Sequence, residues 1–127
     1  MIILAIAGGS FWWHKHGAEM LEQGHAQQAA GRRFGQSAAA NACVDEALRQ
    51  HKQHGAQMTT TITEGVFLGG CLETASRVPD LCASNTDPTI MGTARWLNGI
   101  CVAHGLNDSY CPNVLQPLRN RCQRASR

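Results

Sequence analysis

Cys43-Val44-Asp45-Glu46-Ala47-Leu48-Arg49-Gln50-His51 is the stretch on which the fold turns. Cys43, Ala47 and His51 recur every four residues, with Val44 and Leu48 beside them. That is the one-sided stripe of an amphipathic helix, with a cysteine built into it. The spacing predicts a helix from about Ser37 to His54, ended by Gly55. Asp45-Glu46 would sit in its first turn, where carboxylates complement the helix dipole.

Three further helical segments follow. Thr61-Ile62-Thr63-Glu64 has the spacing of a capping box and opens a helix that turns Phe67, Leu68, Cys71, Leu72 and Ala75 inward, with Pro79 beyond its end. Asp87 and Pro88 suit the cap and first position of a third helix. On it Ile90, Ala94, Leu97, Cys101 and His104 share a stripe, Trp96 is the large core anchor, and Gly105 is the stop. A short fourth helix runs from about Pro112 to Cys122, with Cys111, Leu115, Leu118 and Cys122 on one side. Pro117 is placed to kink or split it. No strand-like alternation competes with these patterns. The expected fold class is all-α: a small disulfide-stapled domain of about four short helices (residues 37–127), carried on a helical connector (17–36) and an N-terminal membrane helix (1–16).

The staples are the six cysteines, Cys43, Cys71, Cys82, Cys101, Cys111 and Cys122. Their number is even, none lies in the first 42 residues, and no two form a CxxC. This reads as a disulfide framework in an extracytoplasmic domain rather than a metal knuckle or a redox dithiol. Large aromatics are scarce, so the core is thin, and small cores often need covalent help. Cys71 and Cys101 each end a helical pattern and are followed, ten or eleven positions later, by another cysteine. The expected pairing is therefore Cys71–Cys82 and Cys101–Cys111, with Cys43–Cys122 tying the first helix to the last.

Met1 to Trp13 carries no charge and only Ser10 as a polar side chain, and His14-Lys15-His16 follows. An apolar run that ends in Trp12, Trp13 and Lys15 resembles a membrane helix reaching the interface. Thirteen helical residues span roughly 20 Å, short of the roughly 30 Å of a bilayer core. The anchor reading therefore needs either a start further upstream or a helix continuing through Gly17. A secretory signal peptide competes, with Ala5-Ile6-Ala7 as its cleavage site, but it lacks a basic n-region and enough apolar length. A buried N-terminal element would suit Ile2 to Ile6 but not Trp12-Trp13-His14. Lys15 favours a cytoplasmic C-terminal side. The six cysteines favour the oxidising side and outweigh it.

Gly17, Gly24 and Gly31 stand seven apart in the connector, and Ser10 and Ala38 extend the register. Each glycine inside a helix costs about 1 kcal/mol relative to alanine. The stripe is expected to be a surface where another backbone packs closely, from a copy of the chain or from a partner subunit. The alternative is a flexible tether whose spacing is chance.

Chemistry-bearing patterns are weak. His51 and His54 supply two metal ligands where a zinc or copper site needs three or four, so neither metal nor cofactor is expected. His104 reads as a satisfied or capping histidine. Ser76, Asp80, Ser84, His104 and Asp108 can be grouped on paper, without a GxSxG elbow to support them. Arg119, Arg121, Arg124 and Arg127 form a solvated helix end, or a contact for an acidic partner or anionic headgroups. Eleven Lys and Arg against nine Asp and Glu argue against nucleic-acid binding.

The expected function is that of a non-enzymatic accessory or structural subunit of a bacterial cell-envelope complex. Residues 1–16 would sit in the inner membrane and the cysteine domain in the periplasm, contacting other membrane subunits or itself. The second reading is a periplasmic small-ligand or metal-binding module with a pocket near Trp96, His104 and Tyr110. Alkylation of the native protein without reductant is expected to leave all six cysteines unmodified. Six alkylated thiols would place the domain in a reducing compartment instead.

Overall fold

The structure, a computed structural model, describes residues 22–125. Residues 22–35 form the first helix, α1. Then come α2 (Ala40–His54), α3 (Met58–Thr74), α4 (Val78–Ala83), α5 (Ile90–Ala103), α6 (Cys111–Val114) and α7 (Gln116–Ala125). Among the described residues there is no strand, only an isolated parallel bridge between Ala39 and Ser76. The domain is all-α, as its periodicity predicts.

α2 and α3 are the central pair. Gly55 (φ 82°) ends α2, and a short turn sends α3 back alongside it. Cys43 and Cys71 lie the same number of residues before and after Gln57, so an antiparallel hairpin brings them level. They are bonded, with Cα atoms 5.8 Å apart. At the other end of the hairpin His51 meets Glu64. Between these points Val44, Ala47 and Leu48 pack on Leu68 and Leu72, and Val114, Leu115 and Leu118 complete the core.

Several boundaries depart from the sequence expectation. α2 starts at Ala40 rather than Ser37, because Ala39 is held extended by the bridge: Ala40 N–H donates to the Ser76 carbonyl and Ser76 N–H to the Ala38 carbonyl. Even from this later start, Asp45-Glu46 lies beyond the first turn. α3 starts a turn before Thr61, whose hydroxyl donates to the Gln57 carbonyl at 2.6 Å and caps nothing. Pro79 lies in the first turn of the unforeseen α4, whose N-cap Arg77 is in the left-handed conformation (φ 61°). α5 is capped by Thr89, which accepts from Gly92 N–H, while Asp87 accepts from the backbone and hydroxyl of Thr89. Its buried row is Thr93, Leu97 and Cys101, so Ile90 (76% exposed) and Ala94 point outward. Trp96 is half-buried rather than a core anchor, with Nε1–H donating to Ser84 Oγ. Pro117 does split the last segment, into α6 and α7.

Two of the three expected disulfides are corrected. The bonds are Cys43–Cys71, Cys82–Cys122 and Cys101–Cys111. Only Cys101–Cys111 is the local staple anticipated. Cys71 faces α2 and so cannot serve the loop after α3. Cys82, on α4, packs on α7 and meets Cys122 there.

The glycine stripe is also corrected in part. Gly17 lies outside the described residues, and around Gly24 a Cβ would meet nothing within 4 Å. At Gly31 a Cβ would overlap the Phe67 carbonyl, at Gly35 the Cys71 carbonyl, and at Gly70 the Gln28 carbonyl. The close backbone approach exists, then, but it is intramolecular, between α1 and α3. Arg32 pairs with Glu73 at 2.7 Å across this crossing, and the Thr74 hydroxyl donates to the Arg32 carbonyl. The expected anchor, with Trp12, Trp13 and Lys15, lies outside the described residues. Among those described, no helix is long and apolar enough to cross a membrane.

Gly70→Val is expected to destabilise the domain by about 1–3 kcal/mol through backbone overlap, whereas Gly24→Ala should stabilise it by up to about 1 kcal/mol. Denaturant unfolding measures both. Proteolysis without reductant should release a Cys43–Cys71 peptide pair, and a Cys43→Ser, Cys71→Ser double variant should lose about 3–4 kcal/mol on a chain-entropy argument.

Candidate functional site

A buried ion-pair cluster lies between α2, α3 and the loop before α6, with Asp108 reaching the surface. Glu64 and His51 both have 0% exposure. His51 Nδ1 lies 2.9 Å from Glu64 Oε1, and Nε2 lies 2.9 Å from Asp108 Oδ1. A carboxyl group faces each nitrogen, an arrangement that favours the imidazolium, which can donate from both sides. Asp108 Oδ1 also accepts from the backbone N–H of Tyr110 and Cys111, which fixes the start of α6. His54 Nδ1 stands 3.8 Å from Glu64 Oε2.

Burial opposes the charged form of His51, but the hydrogen bonds and charges of Asp108 and Glu64 outweigh it and raise the His51 pKa. Burial raises Glu64, partly offset by His51 and His54. Burial would also raise Asp108, yet His51 and the two backbone donors overcome this and lower it. A second histidine repeats the pattern in the opposite sense. His104 Nε2 donates to Asp45 on α2 and Nδ1 to the Ile100 carbonyl, both at 2.8 Å. Its burial is likewise outweighed, by Ile100 and then Asp45, and its pKa is raised. Two histidine–aspartate bonds thus hold the α5–α6 connection on α2.

These findings relocate several candidates. His51 is not a solvated helix end, and Glu64 is not half of a capping box. His104 turns to Asp45 rather than Asp108, and Ser84 Oγ donates to the Leu81 carbonyl, so the serine grouping does not assemble. Among the described residues, no three His, Cys, Asp or Glu side chains are placed to hold a metal ion. Trp96 does line a cavity, but neither His104 nor Tyr110 joins it there.

The accessible feature is a groove of about 540 Å³ on the outer side of α3, bounded by α1 and α7. α3 is apolar around most of its circumference, a pattern that calls for cover on more than one face. α2 covers one face. On the other, Met58 and Ile62 are 64% and 58% exposed, and Val66 continues their row. Gly65 and Gly69 lower the groove floor. A Cβ at either would make only ordinary contacts, with Val114 and Pro117, so internal packing does not require glycine there. Arg121 and Arg124 stand on the α7 wall without a carboxylate partner among the described residues. Sequence reading placed Ile62 inside a cap and the arginines in a tail. The outward apolar row on an already half-covered helix was the signal that could have joined them.

Comparison with protein-family models, curated proteins and solved structures finds no match to this chain.

The pH dependence has a definite sign. The raised pKa values of His51 and His104 give stability that is complete below about pH 6.5 and lost as pH rises through their folded-state values. Raised Glu64 adds to the loss on the same side. Lowered Asp108 acts oppositely, losing stability only on acidification below about pH 4. Denaturant unfolding across pH 5–9 should therefore show greatest stability in the mildly acidic range and a decline on the alkaline side. His51→Gln should cost about 3–5 kcal/mol at pH 6, because it leaves Glu64 buried without its cation, and should flatten the alkaline decline.

Proposed function

We propose that this chain is a non-enzymatic, membrane-anchored accessory subunit of a bacterial envelope complex, with its disulfide-bonded domain outside the cytoplasm. The groove on α3 is the surface it offers, and the occupant is a helix of another membrane-protein subunit. The observation that carries this reading is the apolar row of exposed Met58 and Ile62 and half-buried Val66 above a glycine floor, beside two arginines without a carboxylate partner among the described residues. A helix with an apolar stripe would bury that row. An acidic residue at its flank would meet Arg121 and Arg124.

Three bonds that leave no free cysteine suit an oxidising compartment. The apolar segment before Trp13 and the basic cluster after it suit an anchor. α1 suits a tether: it is fixed to α3 at Gly31 and Gly35, while residues 22, 23, 25 and 26 are exposed. The His51–Glu64–Asp108 cluster has the place of a structural clamp, since His51 and Glu64 have no exposed surface for a substrate to reach.

The test is extraction from native membranes in mild detergent, with a photo-crosslinking side chain at position 62 or, as control, at Asn98 on the outer face of α5. A stoichiometric complex cross-linked from 62 and not from 98 is the expected result. Ile62→Glu should weaken co-purification about tenfold or more without changing the melting temperature. A protein recovered alone and monomeric, with no cross-link from 62, would overturn the proposal.

A further inference from the structure

The three disulfides differ in their distance from solvent. Cys43, Cys71, Cys101 and Cys111 are at most 1% exposed, so two of the bonds are sealed in the core. Cys82 and Cys122, the third pair, are both half-buried. Both line a cavity of about 350 Å³ whose lining includes exposed Ala83, Pro88 and Gln123, so solvent enters it. The helices that this bond joins are otherwise lightly held. Val78 is the one buried residue of α4, and Leu118 the one buried residue among positions 116–124 of α7. Helices of six and ten residues have little stability of their own. Elements with few buried contacts open locally well before the whole domain does.

From this we infer that Cys82–Cys122 is a site of thiol–disulfide exchange with a dithiol, and that its opening releases the end of α7 while the other two bonds stay closed. One thiolate of the dithiol attacks a sulfur of the pair, forms a mixed disulfide and expels the other cysteine as a thiolate. The second thiolate of the reagent then displaces the first. The reagent departs as a disulfide, its two electrons and two protons passing to Cys82 and Cys122, which end as thiols. Arg119, three residues before Cys122 and on the same face of α7, is the one charged residue lining the cavity. A positive charge there favours the attacking and departing thiolates. Attack on the other two bonds must wait for the core to open. Exchange leaves the end of α7 without its tie to α4. Arg121 and Arg124 stand on that end, so the groove loses its basic wall. The exchange is independent of what the groove binds, and its use in regulating a partner rests on the subunit reading.

Dithiothreitol is the probe. The oxidised full-length protein is held with it near neutral pH without denaturant, sampled over time, alkylated and mapped by peptide mass. Cys82 and Cys122 are expected to be labelled together, about tenfold or more ahead of the other four cysteines. In protein reduced at that bond alone, the backbone amides of residues 116–125 should exchange with deuterium about tenfold or more faster, with α2 and α3 unchanged. A Cys82→Ser, Cys122→Ser double variant should show the same fast exchange in α7. The order of reduction in the unaltered protein does not depend on that variant folding. Neither readout needs a partner, so a groove that binds nothing leaves both as they are. Reduction of all three bonds together, of another bond first, or of none until denaturant is added would sink the inference. So would amide exchange in 116–125 that opening Cys82–Cys122 leaves unaltered.

Discussion

An ionised carboxylate taken out of water costs several kcal/mol unless a cation and further donors oppose it. Glu64 has no exposed surface, so the rest of the domain must be arranged around that requirement. His51 supplies the cation, and to do so it must lie level with Glu64 across the α2–α3 hairpin. That register also brings Cys43 level with Cys71. The remaining nitrogen of His51 needs an acceptor of its own. Asp108 provides one, and in doing so fixes the loop that starts α6. The position of α6 in turn carries Val114 and Leu115 into the core. One buried charge thus propagates through the hairpin, the interhelical loop and the packing of the C-terminal half. The arrangement also explains how a domain with few large aromatics reaches a definite structure. Directional bonds and disulfides supply specificity that a thin core of leucines does not.

Much of this was legible as local pattern. The stripe through Cys43, Ala47 and His51, the stops at Gly55 and Gly105, the break at Pro117 and the Cys101–Cys111 staple all follow from spacing along one helix or one loop. What failed was any inference that needed to know a helix's neighbour. Thr61-x-x-Glu64 has the letters of a cap, but a cap is an exposed device and Glu64 is buried. His51 resembles a solvated helix end until Glu64 and Asp108 are placed on either side of it. Cys71–Cys82 looked like a staple because the two are close in sequence, yet Cys71 was already committed to α2 by the hairpin register. The symmetry of Cys43 and Cys71 about Gln57 was present in the sequence, and it becomes meaningful only once the turn there is known to reverse the chain.

The glycines divide on the same physical line. Gly31, Gly35 and Gly70 are required because two backbones touch, so α1 is held against α3 without intervening side chains. Gly65 and Gly69 have room to spare, and their contribution is to the shape of the outer groove. The same helix therefore uses bare backbone for attachment on one side and for depth on another. The heptad read along α1 alone could not separate these roles, since one of its members, Gly24, faces open space and another, Gly31, is packed tightly.

The connectivity of the three disulfides has a topological side. Cys43–Cys71 closes before Cys82–Cys122 begins, and Cys101–Cys111 is nested inside the latter. No bond crosses another, and none spans the segment between Cys71 and Cys82. In covalent terms the domain is two closed units joined by a single thread of main chain. That thread includes Arg77, exposed and in a left-handed conformation, the kind of residue a trypsin-like protease cleaves. One cut there would leave two disulfide-closed fragments held together by packing and by the His51–Asp108 and Asp45–His104 bonds alone. Among the described residues, whether those fragments stay together then rests on their shared apolar core and on the protonation of two imidazoles, not on any sulfur.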